Sequence, residues 1–140
     1  MHRLIYKSTA AGEIDKETFR DILYTSVQLN RRHGITGALI AARKHYLQIL
    51  EGEQEVVEET YSSICKDPRH TNIILIVSRP VGKALFSQWR MRGFGLFALN
   101  LQTEKRLLGK YGEEGGSVLL PEDEKGALAL ARDIEMIDLS

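Results

Sequence analysis

The order in which strand-like and helix-like stretches follow one another constrains the fold of this chain more than any other feature of its sequence. Five short runs are rich in β-branched, aromatic and other apolar residues. They cover residues 3–8, 35–42, 46–50, 73–77 and 88–94. Two stretches, 15–31 and 53–66, instead place apolar residues at helical spacing. The resulting βαββαββ order predicts an α+β, ferredoxin-like sandwich: a five-stranded mixed sheet with two helices on one face.

Local signals support these boundaries. Asp15 is a suitable N-cap for the first helix, and Ile14 with Phe19 predicts a hydrophobic staple across it. Gly34 falls where that helix should end. The uninterrupted apolar run 73–77 predicts a central strand that is buried on both faces.

Charge divides the chain of 140 residues into two parts. Residues 1–96 carry 14 Lys and Arg against 10 Asp and Glu, whereas residues 97–140 carry 5 against 9. We therefore expect a front module over residues 2–96 and a C-terminal helical extension over residues 97–140, with a flexible stretch at 112–117. The last predicted helix follows Pro121, and its apolar stripe is expected to cover the sheet face opposite the two main helices. That stripe consists of Ala127, Leu130, Ala131, Ile134 and Ile137.

Composition excludes several classes of protein. A net charge of zero disfavours direct nucleic-acid binding. No apolar run approaches the length of a membrane span and no signal peptide is visible, so we expect a cytoplasmic protein without membrane contact. The single Cys65 excludes an internal disulfide and is expected to be packed and inert, and no His, Asp and Glu spacing indicates a metal site. No nucleophile–base pair supports a small hydrolase, so we expect no enzymatic turnover.

Three polar side chains occupy positions where the pattern predicts apolar ones. Asn30, preceded by Ser26, lies on the apolar stripe of the first helix. Gln48 lies in the middle of a strand, and Tyr6 lies on a strand expected to be central. Brought together, the three side chains form either a polar network closed on itself or the lining of a pocket for a planar, heteroatom-rich ligand. Spacing alone favours neither.

Five blocks of sequence, in order, resemble one known family. They are Arg3-Leu4-Ile5-Tyr6-Lys7-Ser8, Ser26–Asn30 followed by Gly34-Ile35-Thr36-Gly37, Leu47–Glu53, Asp67-Pro68-Arg69-His70 and Trp89-Arg90-Met91. Together they resemble a BLUF domain over residues 2–96. The resemblance implies a blue-light photoreceptor that binds FAD non-covalently.

The resemblance also implies roles for the three polar residues. Tyr6 is similar to the family's electron-donating tyrosine, and Gln48 to the glutamine that bridges this tyrosine to the flavin. Asn30 is similar to the asparagine that binds the polar edge of the ring. The implied light state keeps an oxidised flavin with a strengthened hydrogen bond and a small red shift of its absorption.

Further positions match the family's flavin pocket. They are Ile22, Ser26, Ile64, Arg69 and His70. Trp89 and Met91 match strand residues linked to signal output. Three features depart from the family pattern. Leu29 stands where some relatives carry His or Asn, Tyr46 stands where Phe is usual, and Lys83-Ala84-Leu85 replaces a more basic run seen in some relatives.

The resembled domain has no output chemistry of its own, so the resemblance implies that the light signal passes to another molecule. Because the chain ends before an enzymatic domain could follow, we expect a separate downstream response protein. We also expect a homo-oligomer, a dimer or larger, that uses the apolar surface left uncovered by the extension. The alternative function is a ferredoxin-like regulatory or interaction module without a chromophore.

Overall fold

The computed structural model describes residues 1–86 and 91–138 of the chain. The predicted α+β fold and its βαββαββ order are confirmed. The strands are β1 His2–Ala10, β2 Thr36–Ala41, β3 His45–Gly52, β4 His70–Pro80 and β5 Arg92–Gly95, and the helices between them are α1 Lys16–His33 and α2 Gln54–Cys65.

The ends of α1 follow the predicted capping signals. The Asp15 carboxylate accepts a hydrogen bond of 2.8 Å from the backbone N–H of Thr18. Gly34 ends the helix with a left-handed φ of 67°, and its N–H donates to the Asn30 carbonyl. Ile14 and Phe19 are both buried in the same core cluster, as a hydrophobic staple requires. These contacts hold the C-terminal turn of α1, with Asn30, at a defined place over the sheet.

The sheet has the order β4-β1-β3-β2-β5. β1 pairs antiparallel with β3 on one side and with β4 on the other, and β5 joins parallel to β2. The register of β1 and β3 sets Tyr6 directly opposite Gln48. Two of the three polar residues singled out in the sequence therefore meet at the centre of the sheet.

Two sequence predictions about burial are wrong. The run 73–77 belongs to β4, which is an edge strand, and Ile74 and Leu75 are 43% and 47% exposed. A continuous apolar run does not reveal how many neighbours its strand has, because pairing depends on distant segments. Cys65 is exposed because it is the last residue of α2, and only Val57 of that helix is fully buried.

The extension is ordered where the sequence predicted flexibility. It contains α3 Leu101–Tyr111, the two-residue strands β6 Glu113–Glu114 and β7 Ser117–Val118, and α4 Glu124–Asp138. β6 and β7 form a hairpin whose turn residues, Gly115 and Gly116, have φ values of 61° and 79°. Such positive angles fit a two-residue hairpin turn, which glycine adopts without strain.

The sheet is covered on both faces. On one face, α1 and α2 pack over a core that includes Leu4, Tyr6 and Leu50. On the other face, α4 buries its apolar stripe against Ile5 and other sheet residues, as predicted. No helix among residues 1–86 and 91–138 is long and apolar enough to cross a membrane.

The burial of α4 predicts that replacing two different leucines of the extension by alanine will change the free energy of unfolding by different amounts. Leu130→Ala removes a side chain with no exposed surface, so we expect the free energy of unfolding to fall by about 2–5 kcal/mol. The matched control is Leu101→Ala, because Leu101 is 68% exposed. This substitution should change the free energy of unfolding by less than about 0.5 kcal/mol. Urea unfolding followed by circular dichroism measures both. Equal losses would contradict the packing of α4 on the sheet.

Candidate functional site

A side-chain hydrogen bond between the neighbouring strands β1 and β3 forms the base, or floor, of the candidate site. The phenol Oη of Tyr6 on β1 donates to Oε1 of Gln48 on β3. Tyr6 has no exposed surface and Gln48 is almost as buried. Burial is the main cause that raises the pKa of the Tyr6 phenol, because the charged form would lose its hydration. Tyr6 therefore keeps its proton, directed at Gln48, across the physiological pH range.

The other end of the Gln48 amide contacts Met91. Its Nε2 lies 3.5 Å from the Met91 sulfur, a weak acceptor. Met91 is buried just before β5, with a φ of 155° that is uncommon for a residue with a side chain. Because the amide has a donor end and an acceptor end, reversing it would present a donor to Tyr6 and an acceptor to Met91. Gln48 thus connects the phenol to the stretch of chain that leads into β5.

A cleft between α1 and α2 opens above this floor. α1 contributes Ile22, Ser26 and Asn30, and α2 contributes Ile64. The Asn30 side chain is 1% exposed, and its Nδ2 has no hydrogen-bond partner among the described residues. A buried amide donor without a partner costs about 1–3 kcal/mol. A polar network closed within the protein is therefore incomplete, and an acceptor atom on a bound ligand would complete it.

The turn after α2 supplies a basic residue to one end of the cleft. Two guanidinium nitrogens of Arg69, Nη2 at 2.6 Å and Nε at 3.0 Å, donate to the Asp67 carboxylate. These hydrogen bonds lower the pKa of Asp67 and raise that of Arg69, so both remain charged. His70 shares a 2.9 Å hydrogen bond between its Nδ1 and the Ser8 hydroxyl. Burial lowers the pKa of His70 and favours its neutral form.

The structure brings most of the predicted site residues into one cleft. The residues concerned are Tyr6, Ile22, Ser26, Asn30, Gln48, Ile64, Arg69 and His70. Met91 contacts Gln48 instead of lining the cleft, and Trp89 lies outside the described residues.

Sequence reasoning missed part of the lining. Val56, Glu59, Thr60 and Ser63 on α2 and Thr25 and His33 on α1 also border the cleft. Most of these residues are polar and lie at helical spacings typical of a solvent-facing surface. No signal in the sequence distinguishes them from ordinary surface positions.

The donor set of the cleft fits a flavin ring. Aliphatic side chains from two helices, Ile22 and Ile64, suit the faces of a planar heterocycle. The unpaired Asn30 donor and the reversible Gln48 amide suit its polar edge, where acceptor atoms alternate with donors. A phenol lies directly beneath, bonded to that amide.

The sequence of this chain is similar to those of known BLUF proteins, in agreement with the residues that form the cleft. The BLUF family, described as "Sensors of blue-light using FAD", matches residues 1–92. The blue light- and temperature-regulated antirepressor BluF of Escherichia coli (strain K12) is 30% identical over 119 residues, which are 81% of this chain. The chain spans 28% of the length of that relative.

Solved structures extend the similarity across most of the chain. The ground state of BlsA matches with a TM-score of 0.75 and 28% identity, covering 94% of this chain and 85% of that one. The dark state of BlrB, described as a BLUF protein, matches with a TM-score of 0.74 and 26% identity, covering 95% and 93%. The matched residues include both strands and both helices that form the cleft. The chain belongs to the BLUF family and is an FAD-binding sensor of blue light.

Proposed function

We propose that the cleft between α1 and α2 is the FAD site and that Tyr6, Gln48 and Asn30 are its principal polar residues. The observation that carries this proposal is the buried Asn30 Nδ2, which lacks a protein partner among the described residues. Ile22, Ser26 and Ile64 would pack on the ring, and Arg69 and His70 would flank one end of it. We assign flavin binding to residues 2–96 and treat residues 97–140 as the extension.

When bound, FAD would supply a ring that absorbs blue light and whose excited state is a one-electron oxidant. Tyr6 is the donor in our proposal because its neutral phenol can release an electron and a proton together. The Oη proton is already directed at Gln48 Oε1, so it has an acceptor without any rearrangement. The electron and the proton then both return to Tyr6 and restore its phenol. The Gln48 amide is left with its hydrogen bonds reversed, by rotation or by tautomerisation, so that a donor faces Tyr6.

We propose that the readout of this reversal passes to another protein. The chain itself is proposed to perform no enzymatic turnover and to regulate a separate response protein in the cytoplasm. Its relative BluF, described as an antirepressor, supports a regulatory output. Met136, which is exposed on the extension, supports self-association into a dimer or larger homo-oligomer, for which the mass in solution is the test.

Removal of the unpaired donor should weaken FAD binding. In Asn30→Ala the acceptor edge of the ring loses its partner, so we expect the Kd for FAD to rise about 5- to 150-fold, equivalent to about 1–3 kcal/mol. Gln28→Ala is the matched control because it removes an exposed amide from the same helix. Titration of FAD into the apoprotein by fluorescence quenching measures both. Equal affinities for the two variants would mean that Asn30 does not contact the ligand.

Removal of the Tyr6 hydroxyl should separate binding from photochemistry. Tyr6→Phe keeps the ring but loses both the transferable proton and the readily lost electron, so FAD binding persists and the light-induced red shift disappears. Tyr46→Phe is the matched control, because it removes another buried phenol from the same face without touching the bond to Gln48. Absorption spectra before and after blue light show the result. A normal red shift in Tyr6→Phe would refute the donor role.

A further inference from the structure

A second tyrosine lies against Tyr6, and the proposed photochemistry gives it no role. Tyr61 is on α2, and its ring centroid lies 5.6 Å from that of Tyr6, with the two ring planes tilted by 48°. Aromatic rings that pack directly against each other have centroids about 4.5–7 Å apart. The two phenol rings are therefore neighbours, close enough for an electron to pass between them.

The packing of α2 on the sheet sets this contact. Val57, four residues before Tyr61, has no exposed surface and lies in the core cluster that contains Tyr6. Residues four apart on a helix share one face, so Tyr61 packs against the same cluster. Tyr61 nevertheless stays partly exposed. Its side chain thus joins the fully buried Tyr6 to the partly exposed side of α2.

The other ring beside Tyr6 is less suited to give up an electron. His70 meets Tyr6 nearly edge to face, with centroids 6.1 Å apart, and burial lowers the pKa of His70 and favours its neutral form. A neutral imidazole is harder to oxidise than a phenol. Tyr46 packs on His70 at 5.1 Å and reaches Tyr6 only through that ring. Among the described residues, Tyr61 is therefore the phenol placed to exchange an electron with Tyr6.

The difference in burial gives this exchange a direction. Burial is the main cause that raises the pKa of both phenols, that of Tyr61 to about 12 and that of the fully buried Tyr6 further. A phenol that holds its proton more tightly needs a stronger oxidant to lose an electron and a proton together. Oxidised Tyr6 would therefore draw an electron from Tyr61, and the reverse transfer would be uphill.

We propose that Tyr61 is a second electron donor in the light reaction, which reduces Tyr6 after Tyr6 has given its electron to the flavin. This inference rests on the proposed donor role of Tyr6. In this step the O–H bond of Tyr61 breaks: the electron passes to the Tyr6 ring, and the proton leaves to solvent. Tyr6 regains the proton that it gave to Gln48, so its phenol is restored. The electron from Tyr6 stays on the flavin, and the unpaired electron of the protein then lies on Tyr61.

The step competes with the return of the electron from the flavin to Tyr6. If the electron returns, the reversal of the Gln48 amide is completed and the red shift forms. If Tyr61 reduces Tyr6 first, the oxidised flavin bands are lost and no red shift forms. Tyr61 would therefore limit the fraction of absorbed photons that produce the red shift.

Radical trapping on the full FAD-loaded chain tests the step directly. The spin trap nitroso-tert-butane forms a covalent bond through its nitrogen to a ring carbon of a tyrosyl radical, and peptide mass spectrometry locates the adduct. Under blue light we expect the adduct on Tyr61 at five or more times its level in darkness. Tyr24, which is 67% exposed, should stay at its dark level, because it has no contact with Tyr6 among the described ring pairs.

Three phenylalanine variants separate the donor from its surroundings. Tyr61→Phe should lose the adduct at position 61 and form the red shift with at least the wild-type quantum yield, because no electron is diverted. Tyr6→Phe should lower the Tyr61 adduct fivefold or more, because Tyr61 is not among the described residues that line the cleft. Tyr46→Phe is the matched control: it removes a nearby phenol without touching the pair of Tyr6 and Tyr61, and it should keep the adduct.

Several outcomes would overturn the proposal. One is a wild type that shows the red shift but carries no light-dependent adduct on Tyr61. Another is equal labelling of Tyr24, which would indicate radicals in solution. A third is an undiminished Tyr61 adduct in Tyr6→Phe. A wild type without a red shift would instead refute the proposed function, and this inference with it.

Discussion

The hydrogen bond from the Tyr6 phenol to the Gln48 amide is the interaction around which this structure is arranged. It requires two polar side chains at the centre of a sheet, where either one alone would carry an unpaired buried group. The antiparallel register of β1 and β3 places the two residues opposite each other. The floor of the cleft and the Met91 contact both depend on that register.

The two faces of the sheet use polar groups differently. Toward α1 and α2, the polar groups at the floor are neutral, and burial keeps the Tyr6 phenol and the His70 ring uncharged. Toward α4, the polar groups are ions, and each is matched by an opposite charge. Lys7 donates to Glu114 at 2.8 Å and to Glu122 at 3.1 Å, and its hydrogen bond helps to lower the pKa of Glu114. One face is thus suited to moving a proton, and the other to holding the extension in place.

Local pattern predicted much of the fold and the polar part of the candidate site. Asp15 and Gly34 mark the ends of α1 because capping depends on neighbouring residues only. Gln48 and Asn30 stood out because polar side chains interrupted apolar stripes. The edge position of β4 was not predictable, because strand pairing joins distant segments.

The buried ion pairs of Arg3 with Glu51 and Glu124 were not predicted from the sequence, for a related reason. Arg3 alternates with apolar residues, and such a residue is ordinarily taken as facing solvent. Its burial depends on Glu51 and Glu124, which lie 48 and 121 positions away in the sequence. The prediction that α4 covers this face was confirmed. That prediction rested on the apolar stripe of α4, which gives no indication that a charged residue of the helix pairs with the sheet.

The absorption spectrum of the purified full chain, recorded in darkness and again after blue light, tests the central claim most directly. The account predicts a yellow protein with the bands of oxidised flavin, which shift slightly to longer wavelength on illumination and return in the dark. A small reversible shift without loss of the oxidised bands would show that the change lies in hydrogen bonding around the ring. A colourless protein that takes up no added FAD, or a flavin-loaded protein whose spectrum does not respond to light, would contradict it.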